Sequence, residues 1–298
     1  MSESSRPRPV WVDLLIHLRL NFQIILAPIF LWGFVLAGGA WGWRLIVGFI
    51  AVHVGLYGGV TALNSYYDRD EGPVGGLWNP PKWQAAMLPF AWAVQLVGLL
   101  MVIPLGLGVS LTYIAIVLLS VAYSHPAIRL KGRPIGALLV VAIGQGVGGF
   151  LTGWFSATPS AAGLLTPTII VAIVGISLGT VGLYPLTHIY QTEEDAARGD
   201  ATFAVRWGTN EAFRFTLVTF FIAMLCIGWV VWQVFSPIAG ALITAAYLVI
   251  LGDIERWRRR FDLAAVRANY DHVMRLSYVT SLGFAAYLCV QIFLSSVH

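Results

Sequence analysis

Side chains with carboxylate and amide oxygens are gathered at two places in this chain. The first cluster comprises Asn64, Asp68, Asp70 and Glu71, and the second comprises Gln191, Glu194, Asp195 and Asp200. Oxygen ligands without His or Cys favour Mg²⁺, Mn²⁺ or Ca²⁺ over zinc. Mg²⁺ commonly uses one or two protein carboxylates and fills its remaining positions with water and phosphate oxygens. Two such clusters that face each other would hold a diphosphate between metal ions, so Mg²⁺ is the expected cofactor.

The spacing within each cluster places its oxygens side by side on a helix. Residues four apart project from the same face, so Asn64 and Asp68 form one pair, with Glu71 close on the same stripe. Gln191 and Asp195 form the other pair. We predict that Asp68 and Asp195, one from each cluster, are the catalytic carboxylates. The alternative for any single residue is a carboxylate that caps a helix end in water.

A basic segment lies between the two clusters, and it contains Arg129, Lys131 and Arg133. Arg and Lys donate charge-assisted hydrogen bonds to phosphate oxygens and stabilise a departing diphosphate. We therefore predict that these three cations, together with Asn64, contact the diphosphate. The alternative is that they only mark the cytoplasmic ends of the neighbouring helices.

The composition indicates what kind of element positions these groups. Of the 298 residues, 58% are hydrophobic and 11% are charged, and the mean hydropathy is +0.78. A soluble domain carries about 25% charged residues, so the sequence predicts an integral membrane protein. Its apolar runs are continuous and reach the roughly 20 residues that span a bilayer as a helix, whereas barrel strands alternate in segments of about ten. The net charge of +4 requires no nucleic acid, since anionic lipid headgroups and an anionic substrate suffice as partners.

The apolar runs predict an all-α protein with about nine transmembrane helices. We expect residues 1–298 to form a single polytopic membrane domain that begins with a short polar segment, residues 1–15. In the fifth run, the glycine-rich stretch Gly144–Gly149 allows close helix approach, and Gln145 within it would lie at mid-membrane depth. The runs lie near residues 20–39, 43–64, 84–104, 107–123, 135–156, 166–190, 213–233, 237–252 and 274–295.

The charges predict the orientation of these helices. With nine spans, nearly all Lys and Arg residues fall on one face, which the positive-inside rule assigns to the cytoplasm. Arg44 falls on the other face, and every Asp and Glu shares the basic face. The expected location is the cell (cytoplasmic) membrane, with the active site toward the cytoplasm. On that face the loop Gly72–Lys82, rich in Gly and Pro, is a candidate lid.

The two clusters resemble the aspartate-rich motifs of the UbiA superfamily of intramembrane prenyltransferases. The first is similar to its Asn-Asp-x-x-Asp-x-x-x-Asp motif, and the second is similar to its Asp-x-x-x-Asp motif. The runs Tyr123–Lys131 and Gly199–Gly208 also resemble segments of that family. The chain departs from the motifs at three positions, where the family's aspartates are replaced by Ser65, Gly72 and Gln191.

This resemblance implies nine helices around a central cavity, in which two Mg²⁺ ions bind an isoprenyl diphosphate through the two motifs. Loss of the diphosphate generates an allylic cation, and a lipophilic acceptor, often aromatic, attacks it. The chain would then be a prenyltransferase, an enzyme that transfers alkyl or aryl groups other than methyl. Aromatic faces stabilise cations, and the candidates are Tyr66, Tyr67, Phe150, Trp154 and Tyr190.

Two other interpretations fit the same residues. On the same scaffold, a terpene cyclase would let an internal double bond attack the cation, so that no acceptor is needed. From a different class, the chain would be a non-catalytic lipid-binding protein or a transporter whose acidic clusters have decayed. Product analysis with the diphosphate as sole substrate separates the first two, and flux without chemistry identifies the third.

Overall fold

A computed structural model describes residues 8–297 and is built from helices. Within that range nine helices are long and apolar enough to cross a membrane, which confirms the predicted all-α membrane fold. Two short helices, Thr192–Ala197 and Phe203–Trp207, follow the sixth span. The nine spans are α1 (Val10–Leu36), α2 (Trp43–Asp68), α3 (Met87–Leu105), α4 (Leu107–Ser124), α5 (Pro134–Ala157), α6 (Pro167–His188), α7 (Thr209–Val234), α8 (Pro237–Arg259) and α9 (Val266–Ser296).

Several spans begin where the local sequence favours a helix start. Pro134, Pro167 and Pro237 each occupy the first turn of a helix, where the missing N–H has no helical partner to lose. The hydroxyl of Ser236 caps α8 by accepting a hydrogen bond from the backbone N–H of Ala239 at 3.2 Å. Such caps satisfy the unpaired donors of the first turn.

Three helices run farther into the polar face than the apolar runs predict. Residues 10–16, within the segment expected to be polar, are helical, while residues 1–7 lie outside the described range. At the other extensions, the polar turn of α8 carries Glu255 paired with Arg258 and Arg259, and α9 begins with Arg267 paired with Asp271. Pairs three or four residues apart stabilise helices that have left the hydrocarbon, so hydropathy alone underestimates their length.

Glycines bring α1 and α5 into backbone contact. A Cβ atom added at Gly33 would collide with the carbonyl of Phe150, and one added at Gly153 would collide with the carbonyl of Phe30. Small residues permit such close approach in a membrane, where helix association depends on packing because lipid is as apolar as the side chains. This pair of helices forms one wall of the bundle.

The α2 and α5 helices each contain a widened, π-helical segment. These segments are Ala51–Gly58 and Val141–Val147, and the second falls in the glycine-rich stretch. The Tyr57 hydroxyl donates to the carbonyl of Gly144 at 3.4 Å, so the two segments meet at one depth in the bundle. Single π turns are frequent at functional sites because they redirect side chains from the regular helical face.

The connections place the predicted site residues at one end of the bundle. The loops after α2, α4, α6 and α8 all lie at that end, since the helices alternate in direction. At the opposite end, Arg44 donates to the carbonyls of Ser156 at 2.8 Å and Leu105 at 2.7 Å. These carbonyls lie at the last turns of α5 and α3, where a cation satisfies unpaired acceptors.

Candidate functional site

A cavity of about 720 Å³ opens at the end of the bundle that carries the acidic clusters. This volume lies within the roughly 300–1,000 Å³ typical of small-molecule sites. Its deeper walls are mostly apolar, and its mouth is polar. Of the predicted site residues, those that line it are Asn64, Asp68, Asp70, Lys131, Gln191, Asp195 and Asp200.

The first cluster is positioned by the end of α2. Asn64 and Asp68 lie one turn apart, and the helix ends at Asp68 because Arg69 adopts a left-handed conformation with φ of +52°. Asp70 therefore leaves the helix and turns back into the cavity, with its side chain 7% exposed. Glu71 does not continue the helical stripe: it is exposed outside the cavity. The expectation that it shares a face with Asn64 and Asp68 is wrong, since the helix has already ended.

The second cluster lies on the short helix Thr192–Ala197 and the turn that follows it. Gln191 precedes the helix, and its backbone carbonyl accepts from the N–H of Asp195 at 2.8 Å. The Gln191 amide donates to the carbonyl of Pro73, which ties this cluster to the loop after α2. Asp195 and Asp200 are buried and line the cavity.

Glu194 faces away from the cavity lining and pairs with Arg198. Desolvation raises the pKa of the Glu194 carboxyl, although Arg198 opposes that shift. Glu194 also restricts which residue can occupy position 72 of the neighbouring loop, because a Cβ added at Gly72 would lie 2.6 Å from Glu194 Oε2. The glycine at position 72 thus makes room for Glu194.

Two cations of the basic segment pair with one carboxylate from each cluster. Lys131 pairs with Asp68, and its ammonium donates to the amide oxygen of Asn64 at 3.2 Å. Arg129 donates to both oxygens of Asp200 at 2.8 and 2.7 Å. Burial lowers the pKa of Lys131 to about 7 against the opposing effect of Asp200, whereas the hydrogen bonds to Asp200 raise the pKa of Arg129. Of the three predicted cations only Lys131 lines the cavity: Arg129 lies beside the lining residue Asp200, and Arg133 is exposed and lies outside the lining.

Two further arginines in the cavity wall were not predicted as site residues. Arg19 donates to the hydroxyl of Ser65 at 2.6 Å and lies 3.6 Å from Asp70. Arg198 lies 3.1 Å from Asp70 and also pairs with Glu194. The spacing of four between Glu194 and Arg198 is visible in the sequence, but the partnership of Arg19 depends on a contact between helices.

Backbone strain is concentrated around the mouth of the cavity. Among the described residues, the three non-glycine residues with positive φ are all arginines: Arg19 at 49°, Arg69 at 52° and Arg129 at 44°. The left-handed region is unfavourable for a residue with a Cβ atom and persists where surrounding contacts enforce it. Arg19 also pairs with Asp70, and Arg129 pairs with Asp200, so strain and ion pairing occur together.

The aromatic residues predicted to face the reaction do not line the cavity. Phe150 and Trp154 stack on each other in the core, Tyr66 and Tyr67 pack beside Trp83 and His125, and Tyr190 packs against Tyr270. That prediction is wrong, because the inward face of these helices is set by packing that the sequence does not display. The aromatic walls are instead Phe22, Tyr57, Tyr123, Tyr184, Phe220, Tyr247 and Phe284.

Two buried carboxylate oxygens at the mouth fit a divalent cation. Among the described residues, Asp70 Oδ2 and Asp195 Oδ2 have no hydrogen-bond partner. Their nearest basic atoms are Arg19 Nη2 at 3.6 Å and His188 Nδ1 at 3.5 Å, and buried acceptors without hydrogen bonds are costly unless compensated. Within the same range there is no group of three or more His, Cys, Asp and Glu side chains arranged to hold a metal alone. Mg²⁺ does not require three protein ligands, because water and phosphate oxygens supply its remaining ligands.

The charges at the mouth are balanced without a ligand. Four carboxylates, Asp68, Asp70, Asp195 and Asp200, line the cavity. They are paired with or lie close to four cations, namely Arg19, Arg129, Lys131 and Arg198. A diphosphate that arrives together with divalent cations would therefore find both acceptors for the metal and donors for the phosphate oxygens.

Comparisons with known proteins identify related chains. The family model described as UbiA prenyltransferase family matches residues 26–279. A UbiA homologue from Archaeoglobus fulgidus bound to DMAPP and Mg²⁺ is similar in structure, with a TM-score of 0.72 and 18% identity over 94% of this chain and 99% of that one. The same homologue is also known bound to GPP and Mg²⁺, with the same TM-score.

Two other solved structures share the fold. The apo structure of a UbiA homologue from Aeropyrum pernix K1 has a TM-score of 0.67 at 18% identity, over 92% of this chain and 99% of that one. A digeranylgeranylglyceryl phosphate synthase structure has a TM-score of 0.63 at 12% identity, over 93% and 98%. No curated protein matched the chain by sequence. At these identities the solved structures establish a common fold.

Proposed function

This chain belongs to the UbiA prenyltransferase family, and on that premise we propose that it transfers a prenyl group from an isoprenyl diphosphate to a lipophilic acceptor within the membrane. The observation that carries the proposal is the meeting of both acidic clusters and four cations at the mouth of one apolar cavity. Support also comes from the UbiA homologue bound to DMAPP or GPP with Mg²⁺.

The residues present are suited to hold Mg²⁺ together with a diphosphate. Asp68 and Asp70 would supply oxygens from the first cluster, and Asp195 and Asp200 would supply them from the second. Asn64 and Gln191 would add neutral ligands, whereas Glu71 and Glu194, which lie outside the cavity lining, would not hold the metal. Bound Mg²⁺ would neutralise the diphosphate and so stabilise it as a leaving group.

The cations of the mouth have two roles in this account. In the free protein Lys131 and Arg129 neutralise Asp68 and Asp200. With a diphosphate bound, the same groups are available to donate to its non-bridging oxygens, which carry most of the negative charge. Burial holds the pKa of Lys131 near 7, so a neighbouring phosphate would favour its charged form.

The apolar cavity provides the conditions that the carbon chemistry needs. The bond between the first prenyl carbon and the diphosphate oxygen breaks, and its electron pair leaves with the diphosphate. The resulting allylic cation forms a new bond to the acceptor, which then loses a proton. Walls such as Ile29, Ile116 and Ile176 exclude water that would otherwise capture the cation.

A lateral route would admit the acceptor from the bilayer. Val249 on α8 and Val279 on α9 line the cavity, yet they are 73% and 63% exposed on the outer surface of the bundle. The α8 helix packs chiefly on α7, and α9 packs chiefly on α1. The α8 and α9 helices meet at their polar ends, where His272 lies 3.0 Å from Asp253 and Trp257 donates to Asn269 at 3.3 Å, so the lateral opening would lie between their apolar parts. We expect the active site to face the cytoplasm, as the distribution of Lys and Arg indicates.

The test is product formation by the purified protein in liposomes made from total membrane lipid. Incubation with geranyl or farnesyl diphosphate and Mg²⁺ is expected to release diphosphate and yield a prenylated lipid. A cyclic hydrocarbon or alcohol formed without an acceptor would instead identify a cyclase. Absence of any turnover, with flux of the intact diphosphate into the liposomes, would overturn the enzymatic proposal.

A further inference from the structure

Toward α2, α4, α5 and α6 the cavity ends at one level. The lining residues farthest from the mouth on those helices are Tyr57, Ile116, Gln145 and Ile176, whereas on the side of α8 and α9 the lining continues to Ile243 and to Phe284, whose ring lies 5.4 Å from Trp32. On α2, the turn below Tyr57 carries His53, which lies outside the lining.

Below that level the interior is packed with aromatic side chains. The ring of His53 stacks on Phe49 with centroids 4.0 Å apart, and both rings lie edge-on to Phe30 at 5.7 and 5.8 Å. Phe30 is 1% exposed. Tyr57 therefore stands at the boundary between open cavity and close-packed core.

The glycine-rich stretch of α5 fixes the position of the Tyr57 ring. The Tyr57 hydroxyl donates to the carbonyl of Gly144 at 3.4 Å, and a Cβ added at Gly149 would lie 3.0 Å from that hydroxyl oxygen. The hydroxyl thus lies against the α5 backbone, where Gly149 leaves room for it. Tyr57 and Gly144 both lie in π-helical segments, and Gly149 lies just beyond the second of them.

The distance from the mouth to Tyr57 limits how much of a prenyl chain fits. Tyr57 precedes Asn64 by seven residues and Asp68 by eleven, which at 1.5 Å per residue correspond to about 10 and 16 Å. Three bonds of an extended chain span about 3.5 Å, so the four carbon–carbon bonds of each isoprene unit span roughly 4.5–5 Å. Two to three units fill that depth.

We propose that Tyr57, seated on Gly144 and Gly149, is the floor of the prenyl site and sets the preferred donor to an allylic diphosphate of ten to fifteen carbons. The proposal rests on the proposed function and adds the class of donor. The floor also carries the amide of Gln145, which lies where a longer apolar tail would end, and burying that amide against hydrocarbon is unfavourable.

Substitutions on the two sides of the floor change its depth in opposite directions. Tyr57→Ala removes the ring and deepens the cavity, whereas Tyr57→Phe keeps the ring and is the matched control. Gly144→Leu makes the cavity shallower, because a Cβ at that position would meet only Leu119 Cδ1, at 3.8 Å, and would otherwise enter open space. Leu also has a good helix propensity.

The experiment measures affinity for S-thiolodiphosphates of ten, fifteen, twenty and fifty carbons, with Mg²⁺, for the full chain in nanodiscs. Wild type and Tyr57→Phe are expected to prefer ten or fifteen carbons over twenty by about tenfold, the scale of one overpacked group in a filled core. Tyr57→Ala is expected to move the preference upward by one isoprene unit, and Gly144→Leu is expected to move it downward.

The outcomes separate this inference from the function on which it rests. If analogues of every length bind wild type equally, the tail leaves sideways between α8 and α9, and the floor does not select the donor. The same conclusion follows if both floor variants bind but keep the wild-type preference. If wild type binds no analogue of any length, the proposed function itself fails. Should Tyr57→Ala not fold, the downward shift in Gly144→Leu still decides the question.

Discussion

Arg198 joins the two acidic clusters: its guanidinium lies 3.1 Å from Asp70 Oδ1, although the two residues are 128 positions apart. The same side chain also pairs with Glu194. One cation thereby connects the loop after α2 to the short helix after α6, and it holds the two halves of the mouth together before any ligand binds. Such preorganisation lowers the entropic cost of bringing ligands to one position.

We predict that Arg198→Ala weakens diphosphate binding by about tenfold to a hundredfold, the scale of a lost charge-assisted hydrogen bond. The measurement is the Kd of geranyl S-thiolodiphosphate at fixed Mg²⁺. Arg214→Ala is the matched control, because Arg214 forms an exposed pair with Glu211 on the same face. Equal affinities for both variants would show that Arg198 does not organise the site.

Arg129 and Arg133 are two residues of one basic segment that the structure places differently. Arg129→Lys is expected to lower kcat/KM about tenfold, because Lys cannot replace the paired hydrogen bonds to Asp200. Arg133→Lys is expected to change it by less than about twofold, since the residue is exposed. Steady-state kinetics with a prenyl diphosphate check both values. A comparable loss of kcat/KM in Arg133→Lys would show that Arg133 also contacts the diphosphate.

Gly72 stands where related motifs carry an aspartate, and restoring that residue is expected to be harmful. A Cβ at Gly72 would lie 2.6 Å from Glu194 Oε2, so Gly72→Asp brings two carboxylates into contact. We expect a lower apparent melting temperature and a higher Mg²⁺ requirement than in wild type. The double variant Gly72→Asp with Glu194→Ala is expected to recover the wild-type melting temperature and Mg²⁺ requirement. A Gly72→Asp variant that melts at a higher temperature than wild type, or that requires less Mg²⁺, would contradict this account.

The buried Lys131 predicts a pH dependence of stability. Its pKa in the folded protein is about 7, below the ordinary value of 10.5, so between those values the unfolded chain binds a proton that the folded chain does not. Stability therefore rises as pH increases from about 7 toward 10, by at most about 1.4 kcal/mol per pH unit. Below pH 7 both states are protonated and this contribution is constant.

The check is the apparent melting temperature of wild type and Lys131→Gln in detergent between pH 6 and 9. The difference between the two proteins is expected to move in favour of wild type above pH 7. Arg133→Gln, which removes an exposed cation, is expected to show no such trend. A difference that stays constant from pH 6 to 9 would mean that Lys131 stays charged in the folded state and would contradict the prediction.

Sequence reasoning predicted the helices well, because the bilayer requires long continuous apolar runs. It also brought Asp68, Asp195 and Asp200 to one site, since their motifs resemble those of a known family. It failed at Glu71, whose expected helical face depends on where α2 ends. That end is set by the left-handed Arg69, a local feature that hydropathy does not report.

The inward faces of the helices were the least predictable feature. In a soluble helix the apolar stripe marks the core, but in a bilayer lipid is as apolar as the interior, so the stripe disappears. Phe150 was therefore expected in the cavity and is found in the core, while Tyr184 was overlooked. The pairing of Arg19 with Asp70 could not be predicted from the sequence, because it depends on how α1 packs beside the loop after α2.

The most direct test of the central claim is the Mg²⁺-dependent affinity of geranyl S-thiolodiphosphate for wild type, Asp68→Asn and Asp195→Asn, with Glu211→Gln as an exposed control on the same face. If one Mg²⁺ and diphosphate site is shared by both clusters, each of the two substitutions alone should weaken binding by at least about a hundredfold, and the control should bind as wild type does. Wild-type affinity in either Asp68→Asn or Asp195→Asn would contradict a shared site.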